Sequence, residues 1–512
     1  MKYLPLLPLL FFACASQGSQ PATDLSQANI VPAPLEILAD SGAISLDKSF
    51  RLEYEEANTD GELVNLIVDW LSEAGMDISE EGTYRLWLEN RDAGTSPESY
   101  KLMLAEDEIK LVGLDPGGLL HAAQSLRQLL LTKPDTLDYL PTGVIRDSPR
   151  FAYRGFMLDV SRHFFPAETV ERVIDYLAMY KINHLHLHLS DDQGWRLEIK
   201  AYPRLTEIGG STEVDGGPGG FYTQEEYLTL QDYAAKRGIT IVPEFDLPGH
   251  TNAALASYAE LNCDGNAREL YTGTEVGFSC LCVDKDYIYE FLDTVLAEVA
   301  QVTMGPFIHI GGDEVHTLEQ SKYNRFIERV AEITNRHGKQ VIGWDEIAQA
   351  ELPSSSIAQY WNFAENAQAA VAQGNRLIFS PASHAYLDMK YDSTTDLGLS
   401  WAGYTDLEDA YNWDPVGMVE GVGEADIVGI EAPLWSETIE DLGDIEYMLF
   451  PRIAAISEVA WSVRDIGIGT SLPTMHQQVG AGRPTFSEFE SRLLLHQKCW
   501  DDMGVNFYKW SD

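Results

Sequence analysis

The 512 residues exceed the usual single-domain length, yet an α/β barrel takes about 250 residues or more by itself, so one large domain with a smaller companion is the natural prior. Eighty acidic residues against 35 basic ones give a formal net charge of −45, spread along the chain. That surface repels nucleic acid and anionic lipid, and it fits a saline habitat or plain solubility alike. Hydrophobic content of 45% is ordinary for a globular protein, while 11 Trp and 24 Tyr supply many flat, amphipathic faces of the kind that suits sugar rings.

Met1-Lys2-Tyr3 followed by the apolar run Leu4 to Phe12 reads as an export signal over 1–15, too short to span a membrane as a mature helix. Ala13-Cys14-Ala15 leaves two outcomes open: cleavage after Ala15, or lipoprotein processing that leaves Cys14 lipidated at a new N-terminus. The polar stretch 16–29 is a spacer. Cys263, Cys280 and Cys282 cluster in one loop-like stretch and Cys499 lies near the C-terminus. After export a disulfide from Cys263 to Cys282 or to Cys280 is expected, and no paired Cys-x-x-Cys spacing supports zinc instead.

From 30 to 148 short strands such as Tyr84 to Leu88, Tyr100 to Leu104 and Ile109 to Val112 accompany two helices, one over Gly117 to Leu131. This is a small α+β domain without grouped reactive side chains, and His121 within it reads as a structural histidine. After Ser148-Pro149-Arg150, over 149–512, the pattern becomes strand, loop, helix, repeated. Strands are predicted at Gly155 to Asp159, His184 to Leu189, Thr240 to Phe245, Phe307 to Ile310, Gln340 to Trp344, Ile357 to Trp361, Arg376 to Ser380 and Ile427 to Glu431. Helices are predicted at Glu168 to Tyr180, Gln224 to Arg237, Tyr287 to Val302 and Glu319 to His337. The units predict a (β/α)8 barrel of the TIM type, whose active site lies at the carboxyl ends of its strands.

Those ends carry Asp159, Asp191, Asp192, Glu244, Asp246, His250, Asp313, Glu314, Asp345, Glu346 and Glu437, with Trp344, Trp361 and Trp435 among them. Acids and tryptophans with few cations fit a neutral, hydroxyl-rich ligand. In Phe307-Ile308-His309-Ile310-Gly311-Gly312-Asp313-Glu314 an apolar strand runs through two glycines into adjacent carboxylates. Glycoside hydrolysis ordinarily uses two carboxyls flanking the sugar, and neighbours on one backbone hardly can. The exception is substrate-assisted cleavage, in which the substrate's 2-acetamido carbonyl attacks the anomeric carbon.

From Arg154 onward the chain resembles the family 20 glycoside hydrolases, the β-N-acetylhexosaminidases, especially the bacterial two-domain type. The resemblance rests on Arg154 to Arg162, His186 to Gln193, Pro243 to His250, His309 to Glu314 and Leu434 to Glu437. It implies an exo-acting enzyme that removes terminal N-acetylglucosamine and N-acetylgalactosamine from chitin oligosaccharides or glycans. Glu314 would be general acid and base, with its pKa raised by the pocket and by its acidic neighbour. Asp313 would orient the acetamido N–H, and Tyr386 would donate to its oxygen. Trp344, Trp361 and Trp435 would wall the pocket, while Arg154, Asp388 and Glu437 would bind the outer hydroxyls. Asp191 and His250, counted with the pocket, and Asp246 would hydrogen-bond around Glu314.

His184, His186 and His188 share one strand face, read as a buried barrel wall in preference to a metal site. There is no phosphate loop and no cofactor motif. Two rivals remain: a disaccharide-releasing lacto-N-biosidase with a roomier pocket, and a catalytically silent carbohydrate-binding protein.

Overall fold

The computed structural model describes residues 24–91, 93–463 and 482–511. The predicted signal, Cys14 and the first part of the spacer lie outside them. Among the described residues no helix is long and apolar enough to cross a membrane.

The first six strands, β1 (Glu36–Ser45), β2 (Phe50–Tyr54), β3 (Tyr84–Asn90), β4 (Tyr100–Leu104), β5 (Glu108–Gly113) and β6 (Tyr139–Asp147), form one mixed sheet in the order β1-β6-β4-β5-β3-β2. Two helices pack on it. Gly61–Glu73 starts where Asp60 accepts from the Glu62 N–H, and its apolar positions Leu63, Val64, Ile67, Trp70 and Leu71 recur at helical spacing. Burying each such side chain contributes about 1.5 to 3 kcal/mol. Pro116–Thr132 is fixed by Asp115, whose side chain accepts from the Gly118 N–H, and by proline in the first turn. This second helix is buried on nearly every face, because it lies between the sheet and the next domain.

That domain is a closed parallel barrel of β7 (Tyr153–Asp159), β8 (His184–His188), β9 (Thr240–Glu244), β10 (Phe307–His309), β11 (Gln340–Trp344), β12 (Ile357–Tyr360), β13 (Arg376–Phe379) and β14 (Ile427–Leu434). Every predicted strand is present; β10 stops earlier than the sequence reading had it and β14 runs on to Leu434. Helices Ala167–Met179, Gln224–Lys236, Asp286–Val302 and Gln320–Arg336 surround it. The second of these opens with a reciprocal Thr223/Glu226 capping box. Near the amino ends of the strands the interior is apolar, with Val242, Ile342, Ile357, Ile378 and Val428 packed around Tyr153. Cys263 and Cys282 form the disulfide, leaving Cys280 half-buried and Cys499 buried as free thiols.

The expectation for Arg154 is corrected here. It is the second residue of β7, five residues before Asp159, so at about 3.3 Å per residue it lies some 17 Å from the strand's carboxyl end. Its guanidinium donates to both Glu98 carboxylate oxygens at 2.9 Å and to the carbonyls of Phe151 and Lys181. Burial alone would raise the pKa of Glu98, but Arg154 and His121 outweigh it and hold the carboxyl well below the usual range. His121 is the structural histidine expected, 3.2 Å from Glu98 and edge-on to Trp461. Beside them Lys181, fully buried, reaches Asp147 and the Tyr100 hydroxyl. This charged cluster joins the two domains beneath the barrel. Removing one partner of such a buried pair strands the other, so Arg154→Ala should lower unfolding stability by about 3 to 5 kcal/mol. Denaturant unfolding measures the loss, and unchanged stability would show that the junction holds without this pair.

Candidate active site

The site is built on loops at the opposite end of the barrel. Beyond β10 the backbone turns sharply: φ is +66° at Gly311, +110° at Gly312 and +52° at Glu314. A side chain at 311 would meet Asp246 Oδ1 at 1.8 Å, so only glycine fits. Asp246 Oδ1 accepts from the Gly312 N–H at 3.0 Å, and the Tyr323 hydroxyl donates to the Gly312 carbonyl at 2.7 Å. Asp313 and Glu314 are thereby delivered from a pinned turn rather than from the strand itself. Left-handed conformation at glutamate is unfavourable, and such strain is characteristic of functional sites.

His250, itself at φ +51°, sits behind both carboxylates. Its Nε2 is 3.5 Å from Glu314 Oε2 and 3.8 Å from Asp313 Oδ2, while Nδ1 is 3.2 Å from Asp191 Oδ1. Burial disfavours charge on His250, but Asp191, Asp246 and Asp313 outweigh it and push its pKa well above the ordinary imidazole value. Asp191 is buried and occupied by Arg162, His188 and His250, so it acts from behind the pocket instead of lining it. Burial raises the Asp246 carboxyl well above its usual value, reinforced by the neighbouring Asp313.

The two central carboxyls diverge. Burial raises Asp313, with Glu314 and Glu244 adding to it and His250 opposing. For Glu314 the expected upward shift is not what the structure gives. Burial still raises its pKa, but His250, Arg162 and His316 together lower it below the ordinary value. The cause is geometric: the Glu314 side chain keeps 29% exposure, against 2% for His250, so desolvation is partial while a cationic imidazole stands beside it.

The pocket walls converge as expected. Trp344 is locked by its indole N–H on Glu244 at 2.9 Å, and Trp361 by its own on Glu346 at 3.1 Å. Asp345 caps the segment after β12, accepting from the Trp361, Asn362 and Phe363 N–H groups. Tyr386 stacks near Trp361, and Trp435 stands 5.7 Å from Trp344. Burial keeps the Tyr386 phenol protonated well beyond neutrality, so it is a hydrogen-bond donor. Asp313 Oδ1, both Asp388 oxygens and Glu437 Oε2 are buried without a protein donor in hydrogen-bond geometry. Buried acceptors normally find partners, and hydroxyl and amide groups of a sugar supply them.

The guanidinium at this pocket is that of Arg162, which the sequence reading missed as a site residue. It lies three residues past β7, 2.9 Å from Asp191 and 3.2 Å from Asp159, with its guanidinium over Trp435. The rule placing chemistry at the carboxyl ends of barrel strands pointed to Arg162 rather than Arg154 within the same motif. Trp401 also escaped notice; 54% exposed, it meets Trp361 and Tyr386 edge-on at the mouth.

His186 and His188 lie inside the barrel against carboxylates, whereas His184 stacks on Tyr153 and contacts Asn183. The three therefore do not form one donor set.

Residues 151–464 match the catalytic domain of glycosyl hydrolase family 20, and residues 27–148 match domain 2 of that family. A β-N-acetylhexosaminidase of Cellulomonas fimi is 40% identical over 425 residues, covering 82% of each chain. The solved GH20 β-N-acetylhexosaminidase of Streptomyces coelicolor A3(2) is 40% identical with TM-score 0.86, over 95% of this chain and 99% of that one. A mutant Streptomyces plicatus β-hexosaminidase in complex with product GlcNAc is 40% identical with TM-score 0.86, over 96% and 98%. With both domains matched and relatives this similar over most of their length, the chain belongs to glycosyl hydrolase family 20.

Proposed function

We propose that the protein is an exo-acting β-N-acetylhexosaminidase that releases terminal non-reducing N-acetylglucosamine, and N-acetylgalactosamine, by a retaining, substrate-assisted mechanism. The observation that carries this reading is the adjacent pair Asp313-Glu314 on one pinned turn, which cannot embrace the anomeric carbon from opposite faces. The substrate's acetamido oxygen attacks that carbon while Glu314 protonates the departing oxygen, giving an oxazolinium ion. Asp313 accepts the acetamido N–H and stabilises the developing positive charge; Tyr386 donates to the acetamido oxygen. Glu314 then removes a proton from the water that opens the ring. A sugar seated against Glu314 displaces the water that now reaches it, strengthening the desolvation that favours its acidic form.

Arg162, Asp388 and Glu437 take the outer hydroxyls and close the pocket beyond one sugar, which favours single-residue release over a lacto-N-biosidase. The presence of both Asp313 and Glu314 favours an active enzyme over a silent binding protein. Outside the pocket, Trp401 offers a face for the leaving sugar of a chitin oligosaccharide. Export is supported by the N-terminal signal pattern and the Cys263–Cys282 disulfide, with anchoring through Cys14 or simple cleavage as its two forms.

Two inversions leave the β configuration unchanged, so NMR of early product should show the β anomer first; α first would overturn substrate assistance. Glu314→Gln should lose far more activity on a chitin disaccharide than on an activated aryl glycoside, whose departure needs little protonation. Asp313→Asn should slow both substrates similarly, and leaving-group dependence confined to Asp313→Asn would exchange the two roles. The pH dependence of kcat/KM should also carry the site's signature. Asp313 must be ionised and its pKa is raised, so the acid limb should lie above the ordinary aspartate value of about 3.9. The His250 proton beside Glu314 is lost on the alkaline side, and the raised His250 should carry that limb above about 6.5. A profile already falling at pH 6 would contradict this.

A further inference from the structure

The barrel's upper interior has no part in the steps above, yet it is unusual. Parallel barrels are ordinarily filled with branched aliphatic side chains, and buried ionised groups need close partners of opposite charge. Here Glu431, His186, Glu244 and His188 are all buried at 0% exposure, and they are ordered. Glu431 Oε1 is 2.9 Å from His186 Nδ1, whose Nε2 is 3.0 Å from Glu244 Oε2. The same Glu244 oxygen is 2.5 Å from His188 Nδ1, and His188 Nε2 is 2.9 Å from Asp191 Oδ2. Asp191 then meets His250 at 3.2 Å, and His250 meets Glu314 at 3.5 Å. Carboxylates and imidazoles alternate along the whole path, with the Tyr153 hydroxyl on Glu431 at its lower end. Glu244 is the branch point, because its other oxygen accepts from the indole N–H of Trp344.

We propose that Glu244 is a positioning residue for the acid–base step, acting through His188, Asp191 and His250 on Glu314. The proposal deepens the functional reading and rests on Glu314 being the acid and base. An ionised carboxylate only accepts hydrogen bonds, so an imidazole held between two carboxylates satisfies both by carrying a proton on each nitrogen. His188 stands in that position between Glu244 and Asp191. Its two bonds fix Asp191 in place, leaving the second Asp191 oxygen for His250 Nδ1 and aiming His250 Nε2 at Glu314.

The surrounding charges agree. Burial disfavours a charged His188, but Glu244 and Asp191, with Asp159 beyond, raise it well above the ordinary value. His186, opposed by burial and favoured by Glu431 and Glu244, is pushed up to about 9. His309, the third imidazole facing Glu244, is lowered by burial and accepts the Gly311 N–H on Nδ1. Of the other charged groups, Asp246 and Asp313 face Glu244, and Arg162, Asp192 and Glu437 face Asp191.

Glutamine at 244 has a single carbonyl oxygen. If Trp344 keeps it, the amide presents N–H to His188 Nδ1, and His188 must give up that proton. Glu244→Gln is therefore expected to lose at least tenfold more kcat/KM on a chitin disaccharide than on an activated aryl glycoside, because the damage reaches the acid. Glu431→Gln, one imidazole further away, should show the same split at smaller size. A purely structural role lowers both substrates by one factor, and equal losses in a folded Glu244→Gln would overturn the proposal. If that variant does not fold, ¹⁵N NMR of the histidine rings in the intact wild-type protein decides: His188 protonated on both nitrogens at pH 7 supports it, and a neutral His188 overturns it. Glu314→Gln assayed alongside keeps the two readings apart, since absence of a leaving-group split there would remove the acid–base assignment itself.

Discussion

The chemistry at the carboxyl end of the barrel depends on one turn held in an unfavourable shape. Gly311 and Gly312 leave β10 with positive φ, Asp246 and Tyr323 grip the turn by its peptide groups, and Glu314 is forced into a left-handed conformation. Strain of that kind costs on the order of 1 to 3 kcal/mol and persists only where the surroundings over-determine it. Here the surroundings are the same residues that set the protonation of the site. Asp246 pins the backbone, and its own carboxyl is pushed up by burial and by the Asp313 carboxylate that the turn delivers, so the turn and the electrostatics are one construction.

That construction concentrates negative charge in a buried place, and its balance explains the divergent pKa directions. Asp313, almost wholly enclosed, is governed by desolvation. Glu314, one residue on, is more exposed and faces His250. The result is that the proton of the free site rests on His250, 3.5 Å from Glu314, rather than on Glu314 itself. On the proposed mechanism, a substrate that expels water favours the protonated form of Glu314 as the leaving oxygen departs. The site does not require an acid that is permanently protonated; it requires a proton held nearby and a reason for it to move.

The architecture was legible in the sequence because parallel barrel strands are short, largely apolar runs, as in Gly155 to Leu158 and Val341 to Trp344, each followed by polar residues. Asp313, Glu314, Trp344, Trp361, Trp435 and Glu437 lie past strand ends, where their positions put them, and Tyr386 and Asp388, known only through the resemblance, stand beside them. Arg154 was carried by the resemblance, although the predicted strand Gly155 to Asp159 already set it at the amino end and Arg162 past the carboxyl end. The direction of the Glu314 shift was hidden because it depends on a distance to His250 across more than sixty residues of chain. The charged interior was half visible. Alternation put His186 and His188 on one face, yet their partners Glu244 and Glu431 come from other strands whose phase only barrel closure fixes.

The two ends of the barrel solve the same problem in opposite ways. Beneath it, Arg154 and Lys181 are spent on Glu98 and Asp147, where every charged atom is matched by protein and the outcome is a rigid junction between domains. Above it, Asp388, Glu437 and Asp313 keep buried oxygens without protein donors, so their hydrogen-bonding capacity is left for a ligand. Between the two, alternating histidines and carboxylates occupy a core that aliphatic side chains ordinarily fill. Arg162 belongs to the upper solution although it too is buried and paired, because its partners are Asp159 and Asp191, which hold the guanidinium over the Trp435 ring. The buried cations thus mark both ends, Arg154 and Lys181 where the two domains meet and Arg162 where unpartnered carboxylates face the pocket.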